Sequence, residues 1–297
     1  MKEFAGKVAG ITGAANGIGK AFAEEAARRG MNLALIDIET ENLETVKKEC
    51  EALGAPKVVA ITTDVTDAEQ VRFSVQRIMN EFGKINVFLN NAGVAGAGWV
   101  DKIPPQDWEW IMAADFFGQA YYVHEVLPIM AAQTEDCHFL FTASIAGLHP
   151  GFRYQSAYMA AKHASLCLAE SVRNYADNVM PHIGVSVFCP EYVCTAIHDS
   201  EKRRVEKFTK PGDPFYATDN YLDYIAQFRS NILNKGANPR FVGPRLFRAM
   251  EDNQMYVVPH MHTHDKIVER HRMIEADLEK DRQIDAEFNA ELMGWDD

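Results

Sequence analysis

Through the first 190 residues, short apolar runs alternate with longer segments in which apolar residues recur every three or four positions. The runs are VAGIT from Val8, LALID from Leu33, VVAIT from Val58, VFLN from Val87, HFLFT from His138 and VSVF from Val185. A strand with one wet face alternates apolar and polar residues. These do not, so each is predicted to be buried on both faces. The intervening segments read as helices: Leu43, Val46, Cys50 and Leu53 make one stripe, and Val71, Val75, Ile78, Met79 and Phe82 another. Strand–helix–strand alternation implies an α/β fold, a doubly wound parallel sheet with helices on both faces.

After residue 190 the texture changes. EYVCTAIHDSEKRRVEKFTKPGDPFYATDNYLDYIAQF is polar, rich in turn formers and studded with aromatics. Residues 191–240 are therefore expected to form a lobe or lid inserted into a single domain spanning 1–297. Its EKRR run at Glu201 reads as a solvated face. FVGPRLFRAMEDNQMYVVPH then predicts a helix and a strand at Met255–Val258, and residues 261–297 a charged helical C-terminal extension.

With 47% hydrophobic and 24% charged residues, the 297-residue chain has the balance of a soluble globular protein. Forty-two acidic against 30 basic side chains give a net charge of −12. Such a surface repels phosphate backbones and anionic lipid, so neither nucleic acid nor membrane is an expected partner. There is no apolar stretch of about 18 residues to span a bilayer, and MKEFAGKVAG lacks the apolar core of a signal peptide. Cys50, Cys137, Cys167, Cys189 and Cys194 form no C-x-x-C pair. A reducing, cytoplasmic setting is expected. His260, His262 and His264 alternate in PHMHTHD, but no catalytic residue is near them in sequence, and no metal is expected.

Candidate chemistry begins directly after the first run. ITGAANGIGKAFAEEAARRG places Gly13, Gly17 and Gly19 where a strand turns into a helix, with Asn16 and Ile18 between them. Glycines permit a tight turn and close backbone approach, and the helix N-terminus offers N–H groups to a pyrophosphate. Asp37 closes the second run. A carboxylate there can accept both ribose hydroxyls of an adenosine and would repel a 2′-phosphate. It can equally cap the helix that starts in ETENLETV. No Arg or Lys stands between Gly13 and Gly17, so NAD is the expected cofactor of a Rossmann-like fold. Further along, Tyr158 and Lys162 lie four apart in SAYMAAKHASL, hence on one helix face. A nearby ammonium favours the phenolate and is expected to lower the Tyr158 pKa, suiting it to proton exchange with an alcohol or carbonyl.

Together these motifs resemble the short-chain dehydrogenase/reductase family. Thr12, Gly13, Gly17 and Gly19 match its T-G-x-x-x-G-x-G loop, Asn90–Gly93 its NNAG motif, and Ser144 precedes Tyr158 by the family spacing. The resemblance covers residues 5 to about 195. It implies that Tyr158 is the general acid/base, that Ser144 holds the substrate oxygen, and that Lys162 binds the nicotinamide ribose and tunes Tyr158. It implies further that Asp64 and Val65 read the adenine, that Asn91, Ala92 and Gly93 line the cofactor, and that Pro190, Val193 and Thr195 meet the nicotinamide. The assembly implied is a homodimer or homotetramer.

The chain departs from the family pattern in three places. Asp115, in DFFG, replaces an asparagine that holds a relay water beside Lys162. Ionised, it would attract Lys162 and offset the charge that tunes Tyr158; neutral, it would imitate the asparagine. As a plain structural acid it would meet solvent or a backbone amide. Glu191 replaces a glycine beside the nicotinamide. MYVVPHM and the tail replace the glycine-rich last strand on which the family packs tetramers.

Trp99, His149, Phe152, Tyr154, Glu191 and Tyr192 are the expected substrate contacts, with Phe215, Tyr216, Tyr221, Tyr224 and Phe228 added by the lobe. Aromatic walls suit a bulky secondary alcohol or ketone, aromatic or steroid-like; the lobe's aromatics could also be its own small core. A catalytically weak NAD(H)-binding sensor is the alternative function, supported by Asp115 and Glu191 and opposed by the intact Ser144, Tyr158 and Lys162.

Overall fold

The apolar runs become strands β1 (Val8–Thr12), β2 (Asn32–Asp37), β3 (Val58–Thr62), β4 (Val87–Asn90), β5 (Cys137–Thr142) and β6 (Ile183–Phe188), joined by a two-residue β7 (Tyr256–Val257). These are the strands of a computed structural model that describes residues 1–149 and 151–287. All pairings are parallel, in the order β3-β2-β1-β4-β5-β6-β7. β1, β4 and β5 are buried throughout, as expected of strands covered on both faces. β3 departs from that expectation: only Val58 is fully buried and Thr62 is exposed. It ends the sheet, so no strand covers its outer edge.

Helices α1 (Gly17–Arg28), α2 (Thr40–Ala52), α3 (Ala68–Phe82), α4 (Pro105–Met112), α5 (Gly118–Ala131) and α6 (Ser156–Val179) connect the strands. Each buries the face its apolar spacing marks; in α3 these are Val71, Val75 and Ile78. The strand order reverses between β1 and β4, so the loops after these two strands diverge and open a crevice at their carboxyl ends. α8 (Val242–Asp252) closes the other side of α1, where Phe247 stacks on Phe22 at 5.1 Å and takes Phe4 edge-on at 4.7 Å.

Two irregularities position the site. Between α4 and α5, Ala113–Phe117 forms a turn of π-helix; such bulges re-aim side chains and recur at functional sites. The lobe, residues 191–240, consists of short 3-10 turns at Ala196–Arg203, Glu206–Phe208 and Pro214–Ala217, followed by α7 (Asp219–Lys235). Residues 1–259 form one compact unit and the residues from His260 a second. In the second, a turn at Met261–Thr263 leads into α9 (His264–Glu287). Among the described residues no helix is long and apolar enough to cross a membrane, and no group of three His, Cys, Asp or Glu is placed to hold a metal ion.

Candidate active site

The glycine loop leaves β1 in a conformation few other residues could hold. Gly13 and Gly17 have φ of 65° and 56°. A Cβ on Gly19 would stand 2.2 Å from the Gly13 carbonyl oxygen. Asn16, at the N-cap of α1, gives the helix no side-chain cap; its Nδ2 donates instead to Glu39 Oε2 at 3.1 Å. The first turn of α1 thus has neither a side-chain cap nor an acidic residue of its own, which leaves its N–H groups open to a diphosphate. Thr12 Oγ1 ties the loop to the end of β4, accepting from Asn91 N at 2.8 Å and Ala92 N at 2.9 Å.

Asp37 is buried at the end of β2, where its carboxylate accepts from Ala15 N at 2.9 Å and Glu39 N at 3.0 Å. Burial pushes its pKa above the usual carboxylate value, although both N–H bonds pull it down. It does not cap α2, whose N-cap residue is Glu39; it fastens the glycine loop to β2. Arg203 of the lobe lines this end of the cleft and is held by Glu39 Oε2 at 2.9 Å. Asp64 accepts from Thr66 N at 2.9 Å and Thr66 Oγ1 at 2.7 Å. The uncapped helix end, the glycine turn and the acidic β2 terminus fit a dinucleotide.

At the other end of the cleft stand Ser144, Tyr158 and Lys162. Ser144 follows β5, its Oγ donating to the Pro190 carbonyl at 3.3 Å and accepting from Ala146 N at 3.1 Å. Lys162 Nζ lies 5.4 Å from the centre of the Tyr158 ring and 3.4 Å from the Thr142 carbonyl. The π turn brings Asp115 behind it: Oδ2 is 3.0 Å from Lys162 Nζ. Asp115 Oδ1 accepts from Val94 N at 2.7 Å, and its backbone carbonyl accepts from Ser165 Oγ at 2.8 Å. Of the readings open for Asp115, the geometry shows two at once: direct pairing with Lys162 and a bond from a backbone amide.

Burial pushes the Asp115 carboxyl up against the pull of Lys162. Burial would lower Lys162, yet Asp115 and Tyr158 together hold its ammonium above the ordinary lysine value. Tyr158 corrects an expectation. Lys162 does pull the phenol down, but burial outweighs it and Asp115 adds to the rise, so Tyr158 sits above the ordinary tyrosine value.

Gly13, Asn16, Ile18, Asp64, Val65, Asn91, Ala92, Gly93, Pro190, Val193 and Thr195 all line this cleft, as do Phe152, Glu191 and Tyr192. Gly17 and Gly19 do not; a Cβ on Gly17 would meet Thr195 at 2.6 Å. Of the lobe's aromatics Phe228 lines the cleft too; the remaining expected substrate contacts lie elsewhere. Trp99 and Tyr154 line a separate cavity with Phe215, Tyr221 and Tyr224. His149 is buried, its ring 5.1 Å from Phe152. Tyr216 bonds Asp107.

The EKRR run is a solvated face only in its first half: Glu201 and Lys202 are exposed, but the two arginines turn inward. Arg203 and Arg204 retain only 16% and 6% side-chain exposure. Arg204 reaches Asp107 Oδ1 on α4 at 2.7 Å and Glu201 Oε1 at 2.8 Å, with its guanidinium 4.0 Å over the Trp110 ring. Sequence reasoning missed Asp107, Arg203 and Thr142. Asp107 carried one signal, an acid on the buried side of a helix beside Trp110.

A dinucleotide cleft ending at a phenol backed by an ammonium is the architecture of a nicotinamide-dependent oxidoreductase. The short chain dehydrogenase family model matches residues 7–206, and the chain belongs to that family. It is 35% identical over 286 residues to the "CLA biosynthesis dehydrogenase/reductase" of Lactiplantibacillus plantarum, covering 96% of this chain and 98% of that one. It is 30% identical over 257 residues to the "15-hydroxyprostaglandin dehydrogenase [NAD(+)]" of Rattus norvegicus, covering 84% and 88%. A short chain dehydrogenase/reductase from Burkholderia phymatum, solved in complex with NAD, superposes with a TM-score of 0.89 at 33% identity, covering 93% of this chain and 97% of that one.

Proposed function

We propose that this enzyme uses NAD to interconvert a bulky, apolar secondary alcohol, aromatic or steroid-like, and its ketone. The observation that carries the reading is the meeting of Ser144, Tyr158 and Lys162 in one cleft with the glycine loop and Asp37. Gly13, Asn16, Gly17, Ile18 and Gly19 would hold the diphosphate, Asp37 the adenosine ribose, and Asp64 and Val65 the adenine. Asn91, Ala92 and Gly93 would flank the cofactor, Lys162 and Tyr158 its second ribose, and Pro190, Val193 and Thr195 its nicotinamide. The nicotinamide, when bound, supplies hydride transfer. Ser144 Oγ donates to the substrate oxygen and stabilises its developing charge. Tyr158, as phenolate, takes the hydroxyl proton during oxidation and returns it during reduction. Asp115 acts behind Lys162 as its buried counter-charge.

Phe152, Tyr192 and Phe228 give the cleft an apolar wall next to the reacting set, which supports a bulky substrate. The named NAD relative supports NAD, as does the Arg203–Glu39 pair, which commits the cation at the adenosine end. The working form is proposed to be a homodimer or homotetramer. The Lys162–Asp115 pair also favours a second reading, a catalytically weak NAD(H) sensor. NADH formation from aryl, steroid and aliphatic secondary alcohols, with Tyr158→Phe alongside, separates the two. Turnover of the bulky alcohols that falls by at least about a hundredfold in the mutant supports the enzyme; NAD binding without turnover of any alcohol supports the sensor.

A further inference from the structure

A second cavity, of about 400 Å³, shares no lining residue with the reaction cleft. Its walls are mainly Trp99, Tyr154, Phe215, Tyr221 and Tyr224, with Lys102, Asp213, Thr218 and the exposed Asn220 also lining it. The partition between the two spaces is thin. Tyr154 adjoins Gln155, which lines the cleft. The Tyr154 ring lies 5.5 Å from that of Tyr224, which in turn stacks on Phe228 at 6.2 Å. One stripe of α7 serves both spaces: Tyr221 and Tyr224 face the second cavity, and Phe228 and Ile232, continuing at helical spacing, face the cleft.

Tyr154 is held in place at a cost. Its φ is 60°, in the left-handed region, where a bulky residue is strained. Its carbonyl accepts from Gly98 N at 2.8 Å, and its ring packs on Trp99 at 4.1 Å. Gly98 has φ 153°, and a Cβ there would stand 2.5 Å from Ile103. Such strain persists where the surroundings over-determine it, commonly at ligand clamps. An aromatic-walled space of this size suits an apolar carbon skeleton.

We propose that this cavity receives the distal hydrocarbon end of an elongated secondary alcohol whose carbinol sits at Tyr158, and that Tyr154 divides the two subsites and sets the length accepted. The proposal rests on the secondary-alcohol function above. Its test reads binding separately from turnover. A four-carbon and a twelve-carbon secondary alcohol are titrated into the NADH-bound enzyme by calorimetry, a pair that cannot react, for native protein, Asn220→Trp and Trp99→Ala. In native protein the long alcohol binds tighter by roughly a hundredfold. Asn220→Trp, at an exposed position, fills the cavity and reduces that ratio to a few-fold without changing the short alcohol's affinity. Trp99→Ala also lowers the ratio. A native protein that does not prefer the long alcohol, or a ratio unchanged in both variants, overturns the proposal. Oxidation of both alcohols with NAD is followed in parallel. If the variants lower the binding ratio but neither alcohol is oxidised, the cavity stands as a hydrocarbon site and the dehydrogenase reading fails.

Discussion

Lys162 Nζ stands 3.0 Å from Asp115 Oδ2, with Lys162 at 3% and Asp115 at 0% side-chain exposure. At that depth neither charge is screened by solvent, so the pair governs the field at Tyr158. The groups acting on the phenol are Lys162, Asp115, Ser144 and Tyr192, together with its own burial. Asp115 and burial favour the neutral phenol, whereas Lys162 favours the phenolate. Oxidation requires the phenolate, so its rate rises as pH passes upward through the Tyr158 pKa. Asp115→Asn removes a negative charge and lowers that pKa. The rising limb of kcat/KM for alcohol oxidation should therefore move to lower pH than in the native enzyme. Overlaid pH–rate profiles would show that Asp115 has no influence on the proton transfer.

Cofactor choice is predicted to depend on two acids. Asp37 would repel a 2′-phosphate, and Glu39 occupies Arg203 through a 2.9 Å ion pair. The double change Asp37→Ser, Glu39→Gln removes the repulsion and frees the guanidinium for a phosphate, which Arg binds well. The ratio of kcat/KM for NADP over NAD should rise by at least about tenfold, or about 1.4 kcal/mol. Asp37→Ser alone should raise it less. A ratio that stays put in the double variant would remove these residues from cofactor selection.

The lobe is predicted to be fastened by Arg204. Its guanidinium bridges Asp107 at 2.7 Å and Glu201 at 2.8 Å over Trp110, and the adjoining Arg203 and Val205 line the cofactor cleft. Arg204→Met leaves Asp107 buried without its cation, a loss of about 3 kcal/mol. Proteolysis should then concentrate in residues 191–240, and the Kd for NAD should increase. Asp107→Leu combined with Arg204→Met leaves no buried unpaired charge, since Glu201 is exposed, and should recover much of the stability. Unchanged cleavage in Arg204→Met would mean that the lobe is fastened by other contacts.

The strands were legible because each is an apolar run short enough to cross the sheet once. The glycine loop, Asp37, Ser144, Tyr158 and Lys162 were legible because their spacing is local or fixed by the strand order. The structure drew on longer separations for the rest. Asp107 and Arg204 are 97 residues apart, and a cation run in a polar segment looks solvated until its acid partner is placed. Asp115 showed that a carboxylate was out of place among Trp110, Ile111 and Phe116, but three partners were consistent with the sequence and only the π turn aims it at Lys162. Trp99 and Tyr154 flank the cleft residues in sequence, yet the positive φ of Tyr154 turns them into a different cavity. β3 carries the apolar run of a central strand at the edge of the sheet, a place set by topology alone.

Acid should weaken the sheet through His138. The ring is buried on β5, with Nε2 2.8 Å from Ser186 Oγ on β6; that hydroxyl donates to the Gln254 carbonyl at 2.6 Å. Ser186 therefore accepts from His138, which stays neutral. Burial pushes its pKa down from 6.5 to about 3. The unfolded chain binds a proton at this residue below pH 6.5, while the folded chain refuses it until about pH 3. The stability contributed by the neutral ring is thus complete above pH 6.5 and lost as pH falls toward 3. Between pH 7.5 and 5 the loss from this one group is about 2 kcal/mol at 1.36 kcal/mol per pH unit. Denaturant unfolding of the native protein and His138→Gln at those two pH values measures it. The glutamine variant starts less stable but should lose about 2 kcal/mol less on acidification. Equal losses in the two proteins would mean that His138 already carries its proton in the fold.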